Sequence, residues 1–228
     1  MRVAVDVALF TIRDEKFHIL LIQRGIPPFL GSWALPGGLI RDDLGEYGED
    51  PESAARRELR EETGLAVDPG YMEQLKTYGR PNRDPRNRVV SIAYLGIGPN
   101  LQDPIGGSDA QHAEFVRVED LSNGLKLAFD HSEIVKDAVE RARSKLEYST
   151  IATEFCGEEF TISDLRRVYE IIWGVSLDPG NFQKKVLSCN GFLEEVGKNS
   201  SAPSSRGRPA KLYKAGSAKI INFPIRST

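Results

Sequence analysis

Apolar residues take alternate positions at the start of the chain (Val3, Val5, Val7, Leu9), and 17–24 (FHILLIQR) is apolar and β-prone. Two opening strands are therefore predicted, with a turn over 13–16. A loop rich in glycine and proline follows from Gly25 and ends in Trp33-Ala34-Leu35-Pro36-Gly37-Gly38. Asp50 and Pro51 supply an N-cap and a first helical residue, and Gly64 a stop, so a helix is predicted over 51–63. Strands are expected near 71–78, 88–97 and 112–118. A helix is expected over 132–146, where Ile134, Val135, Ala138, Val139 and Ala142 share one side.

After Tyr148-Ser149-Thr150 the pattern changes to short helical periods. Thr161 and Asp164 are spaced as a capping box, and Ile162, Leu165, Val168, Tyr169 and Ile172 form a stripe that stops at Gly174. Asp178-Pro179 opens a second helix with Phe182, Val186 and Cys189 on one face and Gly191 as its expected end. A short strand at Phe192-Leu193, a Ser/Gly/Pro loop over 197–209 and a strand around Lys211-Leu212-Tyr213 complete the layout. Helix, turn, helix and hairpin in that order predict a winged helix-turn-helix. The organisation expected is thus α+β in two domains, 1–148 and 149–228.

With 40% hydrophobic and 28% charged residues, composition is that of a globular chain with a packed core. No run of 18 apolar residues and no secretory signal pattern is present, so no membrane partner and a cytoplasmic location are expected. Two cysteines without short spacing and three histidines suggest neither a disulfide framework nor a zinc site. The net charge of -3 conceals a polarity: from Lys184 onward nine basic residues face two acidic ones, +7 there against -10 before it. That contrast points to a polyanion partner for the C-terminal part, although a solvated basic tail has the same composition.

On the helix at 51–63, Glu58, Glu61 and Glu62 fall at i, i+3 and i+4 and share one face within about one turn. Such crowding of like charge is unfavourable without a cation, and hard oxygen ligands select Mg2+ or Mn2+. A solvated acidic face is the plain alternative. The run Arg57-Glu58-Leu59-Arg60-Glu61-Glu62-Thr63-Gly64-Leu65, with Glu49 ahead of it and Gly37-Gly38 before that, resembles the Nudix box. The resemblance implies a Nudix α/β/α sandwich with a mixed sheet, metal ligands at Glu58, Glu61 and Glu62, and a water-activating base at Glu61 or Glu62. It also implies structural roles for Glu49 and Arg57 and an approach of the Gly37 carbonyl region to the metal. Ten residues separate Gly38 from Glu49 where the box has five. This insertion leaves open where the glycine turn stands relative to the carboxylates.

Further stretches, Tyr71 to Gly79, Arg83 to Arg88, Leu127-Ala128-Phe129-Asp130-His131, Leu146-Glu147-Tyr148 and Gly207 to Tyr213, resemble the Nudix-related transcriptional regulators of NAD metabolism. That resemblance implies a homodimer on palindromic double-stranded operator DNA, acting as a repressor that senses ADP-ribose or a related nucleotide, with relatives that respond to sugars. Arg24, Trp33, Arg83 and Arg86 are candidates, with Gly37 and Gly38, to hold the ligand; surface or core roles remain equally open for these arginines and for Trp33. On the second helix of the winged unit, Asn181, Lys184, Lys185 and Ser188 lie opposite the apolar face, as readers of a major groove would. Arg206, Arg208 and Lys211 would come from the wing. His131, beside Asp130 at a helix entrance, reads as a structural residue. The competing reading is a Mg2+-dependent pyrophosphohydrolase of ADP-ribose or another nucleoside diphosphate, with a basic accessory domain.

Overall fold

The computed structural model describes residues 1–44, 46–65, 70–107, 110–200, 209–221 and 225. It divides into two compact units: Met1–Arg13 with Phe17–Arg141, and Asp14–Lys16 with Ala142–Thr228.

In the first unit the alternating opening becomes β1 (Arg2–Arg13), next to β2 (Lys16–Arg24) in a seven-stranded mixed sheet. Two short strands interrupt the glycine-rich loop, β3 (Trp33–Ala34) and β4 (Gly37–Leu39), followed by α1 (Pro51–Thr63), β5 (Tyr71–Tyr78), β6 (Val89–Ile97) and β7 (Ala110–Arg117). β1 pairs in parallel with β6 and antiparallel with β4, which sets Gly37 opposite Asp6. Sequence periodicity had no means of finding strands of two and three residues, which exist only because β1 and β2 offer them partners.

Alternation along β1 decides which helix covers which face. Val5, Val7 and Leu9 pack against Ala54, Ala55 and Leu59 of α1, while Asp6 on the other face meets His131, the first residue of α2 (His131–Tyr148). The result is the α/β/α sandwich. Helix α1 starts where Asp50 accepts hydrogen bonds from the backbone N–H groups of Glu52 and Ser53. It ends on Gly64, whose φ of 63° a β-carbon would resist.

After the end of α2 the second unit continues with a 3-10 turn, Ile151–Phe155, absent from the expected layout. Then come α3 (Ile162–Trp173), α4 (Pro179–Ser188), β8 (Leu193–Asn199) and β9 (Lys211–Ala215). The Thr161–Asp164 capping box is formed in both directions. Tyr169 is fully buried, its ring edge-to-face with Trp173 and Phe182, and Leu165, Ile172, Val186 and Phe192 are fully buried in the same unit. Phe160 forms an isolated antiparallel bridge with Tyr213, which ties the segment before α3 to the two-stranded β8–β9 wing. Helix α4 stops at Ser188, earlier than Gly191; the Gly191 carbonyl instead accepts from Ala218 N in the turn beyond. The expected loop over 197–209 begins later than predicted, because β8 runs to Asn199.

Candidate functional site

The Pro-Gly-Gly turn has a steric reason for each glycine. A β-carbon on Gly37 would stand 2.3 Å from the Val5 carbonyl oxygen, and one on Gly38 would stand 2.2 Å from Glu58 Oε1. Gly37 N–H donates to Glu62 Oε2 at 2.8 Å, so the turn is fastened directly over the acidic face of α1. The inserted segment does not shift it. Arg41 N–H donates to Glu49 Oε1 at 2.8 Å and Glu49 N–H to the Arg41 carbonyl at 3.0 Å, so the extra residues leave and return at one point.

Arg57 organises the carboxylates. Its Nε and Nη2 form a fork on Glu49 at 3.0 and 2.6 Å, and Nη1 lies between Glu58 (2.8 Å) and Glu61 (3.1 Å). The fork holds the Glu49 carboxyl below its usual range and raises Arg57 in turn. Arg41 also reaches Glu61, at 3.2 Å. Burial raises the Glu58 carboxyl. Burial likewise pushes Glu62 up to about 8, against the Gly37 hydrogen bond and with the help of Glu58's charge. Among the described residues no three His, Cys, Asp or Glu side chains converge as a metal cage, and the Arg57 guanidinium stands between Glu58 and Glu61. The donor chemistry nonetheless suits a hard divalent cation: three carboxylates on one helix turn, one of them buried beside a like charge that a cation would offset.

Beneath the turn lies a polar cluster centred on Asp6, which the sequence reading passed over. Arg83 binds Asp6 at 3.3 Å and Asp130 at 2.6 Å, and Ser91 donates to Asp6. His131 Nδ1 accepts from Leu35 N–H at 2.9 Å, which leaves its Nε2 proton for Asp6 at 3.2 Å. Burial acts to raise the Asp6 carboxyl, but His131 and Arg83 outweigh it and bring it to about 2. Arg83, expected beside a ligand, is buried with its guanidinium taken by two carboxylates; this makes it a brace. His131 is structural, as a buried link between β1 and the Leu35 backbone more than a helix cap. The available signal was a charged residue in the middle of an apolar alternating strand.

The other ligand candidates lie nearer the surface. Arg24 donates to the Pro28 and Ile26 carbonyls and lays its guanidinium 4.8 Å from the Phe129 ring centre. Arg86, exposed and paired with Asp84 at 2.7 Å, approaches the same ring at 5.6 Å. Trp33 is half-buried, edge-on to His112.

In the second unit Asn181, Lys184, Lys185 and Ser188 are all exposed on α4, while Phe182, Val186 and Cys189 face inward. Among the described residues neither Lys184 nor Lys185 has a carboxylate within ion-pair distance. Lys211 on the wing is paired with Glu195 at 2.8 Å. Arg206 and Arg208 lie outside the described residues. No described helix is long and apolar enough to cross a membrane.

Comparison with known proteins matches residues 2–138 to the NUDIX domain and residues 152–215 to the NrtR DNA-binding winged helix domain. The chain is 34% identical over 223 residues to the ADPR responsive transcriptional repressor NtrR of Acinetobacter baylyi, covering 96% of this chain and 84% of that protein. It is 45% identical over 133 residues to an ADP-ribose pyrophosphatase of Methanocaldococcus jannaschii, covering 58% of this chain and 71% of that one. Shewanella oneidensis NrtR, crystallised with a 27mer DNA, superposes with a TM-score of 0.82 at 32% identity over 98% of this chain and 99% of that one. Its NUDIX domain, crystallised with ADP ribose, matches at 35% identity and a TM-score of 0.55, over 62% of this chain and 88% of that one.

Proposed function

Because the chain belongs to the Nudix family and carries the NrtR winged-helix domain behind it, we propose that it is a DNA-binding transcriptional repressor whose Nudix domain senses ADP-ribose or a related nucleoside diphosphate. Residues 1–148 form the effector domain and residues 149–228 the operator-binding domain, in a homodimer. The observation that carries this reading is the presence of both modules in one chain, aligned nearly end to end with a repressor of that response.

The DNA-binding face is α4, where Lys184 and Lys185 meet phosphate or guanine and Asn181 and Ser188 reach base edges. Lys211 acts from the wing, with Arg206 and Arg208 from the segment before it. In the Nudix unit Gly37 and Gly38 bring backbone close to the ligand's diphosphate, and Arg24, Arg86 and Trp33 line its approach. Glu58, Glu61 and Glu62 would hold Mg2+ or Mn2+ once Arg57 and Arg41 yield their oxygens, and such a cation would neutralise diphosphate charge. Effector binding acts on DNA affinity to the extent that ADP-ribose binds the DNA-competent and DNA-incompetent arrangements unequally.

A second reading is favoured by the complete carboxylate set and the pyrophosphatase relative. In it, Glu61 or Glu62 draws a proton from water that attacks the diphosphate. One titration separates the two. Fluorescence anisotropy on the chain's own promoter DNA, with and without ADP-ribose and Mg2+, is run while the nucleotide is followed by chromatography. Salt-sensitive binding that intact ADP-ribose shifts is the expected result. No specific DNA binding, with cleavage to AMP and ribose phosphate that Glu62→Gln abolishes, would replace the regulator by the enzyme.

A further inference from the structure

Two phenylalanines of the Nudix unit hold a left-handed backbone, Phe29 at φ 63° and Phe129 at φ 54°. A bulky side chain is disfavoured there and persists only where its surroundings over-determine it, most often at ligand sites. The turn around Phe29 is over-determined in this sense. Arg24 N–H donates to Ser32 O at 3.0 Å, Gly31 N–H to Arg24 O at 2.8 Å, Ser32 N–H to Phe29 O at 3.0 Å, and Arg24 Nε to Pro28 O at 2.9 Å. This rigid turn nonetheless leaves Phe29 43% exposed. Its ring meets Phe129 edge to face, centroids 4.9 Å apart, and the guanidiniums of Arg24 and Arg86 lie over Phe129 at 4.8 and 5.6 Å.

The cluster adjoins the glycine turn through one short path. The Phe129 ring lies 5.3 Å from His131, which holds Leu35 N–H, and two residues further Gly37 N–H is held by Glu62. An aromatic face left open beside two cations, a few residues from a diphosphate-type turn, has a chemical complement. A planar heteroaromatic base stacks on the ring, and the anionic group attached to it faces the guanidiniums. A free sugar offers neither a π-face nor a charge. Arg86 is fixed in place by Asp84, so little side-chain freedom is lost on contact.

We propose that Phe29, backed by Phe129 and flanked by Arg24 and Arg86, seats the nucleobase of the effector, so that this chain answers to a nucleotide and discriminates against free sugars. The inference rests on the effector reading above and adds the residues that select the ligand class.

The test is titration calorimetry of the full chain with ADP-ribose and with ribose 5-phosphate, on wild type, Phe29→Gly and Phe29→Leu. Glycine relieves the left-handed strain, and leucine keeps apolar contact without a π-face. Both variants should bind ADP-ribose about tenfold to a hundredfold more weakly, the range of one lost base–aromatic stack. Ribose 5-phosphate, lacking the base, should bind all three alike, and Phe29→Gly should melt no lower than wild type. Wild-type binding of ADP-ribose matched within about twofold by both variants would overturn the inference and leave the effector reading standing. Unchanged ADP-ribose affinity with a loss of dimer on size exclusion would overturn it too, assigning the turn to a second copy. A wild type that binds no ADP-ribose would overturn both.

Discussion

Asp6 sets the clearest single-residue expectation. Burial would raise its carboxyl, but His131 and Arg83 outweigh it and hold it at about 2 in the folded chain, below the ordinary aspartate range. A depressed carboxylate contributes stability above its unfolded pKa and loses it as pH falls through the folded one. Between about pH 4 and 2 that contribution, about 2 kcal/mol, should disappear. Asp6→Asn should therefore flatten the melting temperature against pH in this window and melt lower at pH 7, which circular dichroism can follow. A variant with the wild-type acid slope would remove Asp6 from the account. Gly38 gives a second expectation. A methyl at that position displaces Glu58 while leaving the backbone intact. Gly38→Ala should thus weaken Mn2+ binding about tenfold or more by paramagnetic resonance, and an unchanged affinity would mean that Glu58 is no ligand.

At the scale of elements, α1 and α4 were legible because local chemistry bounds them. Asp50, Pro51 and Gly64 frame α1 at its predicted ends, and Asp178 with Pro179 opens α4. β3, β4 and the 3-10 turn at Ile151–Phe155 were not legible, since elements this short carry no period and exist through their neighbours. The exposed lysines of α4 make a prediction at this scale. If each meets one phosphate, Lys184→Ala with Lys185→Ala should flatten the slope of log affinity against log salt by roughly 0.9 per lost contact. Binding should weaken similarly across operator variants. A wild-type slope in the double variant would move the interface off α4.

At the scale of the whole molecule, each unit has its own core, so they should be separable by mutation. Phe182 is buried against Tyr169 in the second unit. Phe182→Ala should destabilise that unit by about 3–5 kcal/mol. Scanning calorimetry should then show one transition lowered and the other unmoved, with ADP-ribose binding kept and operator binding lost. A single transition that drops as a whole would mean that the two units unfold as one.

The sequence by itself determined what depends on spacing along the chain: helix faces, caps, the three carboxylates of α1, and a basic helix on an apolar spine after residue 178. Those features obey short-range rules of period and capping, and 57–65 carries its chemistry within one helix. Only the tertiary structure decided which arginines are spoken for. Arg83 and Arg86 are three residues apart and looked equivalent, yet Asp6 and Asp130, distant in sequence, bury the first, while the second pairs with its sequence neighbour Asp84 and stays at the surface over Phe129. It also decided that the insertion before Glu49 loops out from a closed base, where Arg41 N–H donates to the Glu49 carboxylate and Glu49 N–H to the Arg41 carbonyl. The physical reason is common to these cases: a charge is committed by whichever partner meets it in the low-dielectric interior, and that meeting is made by strand register and helix packing, which no local pattern encodes.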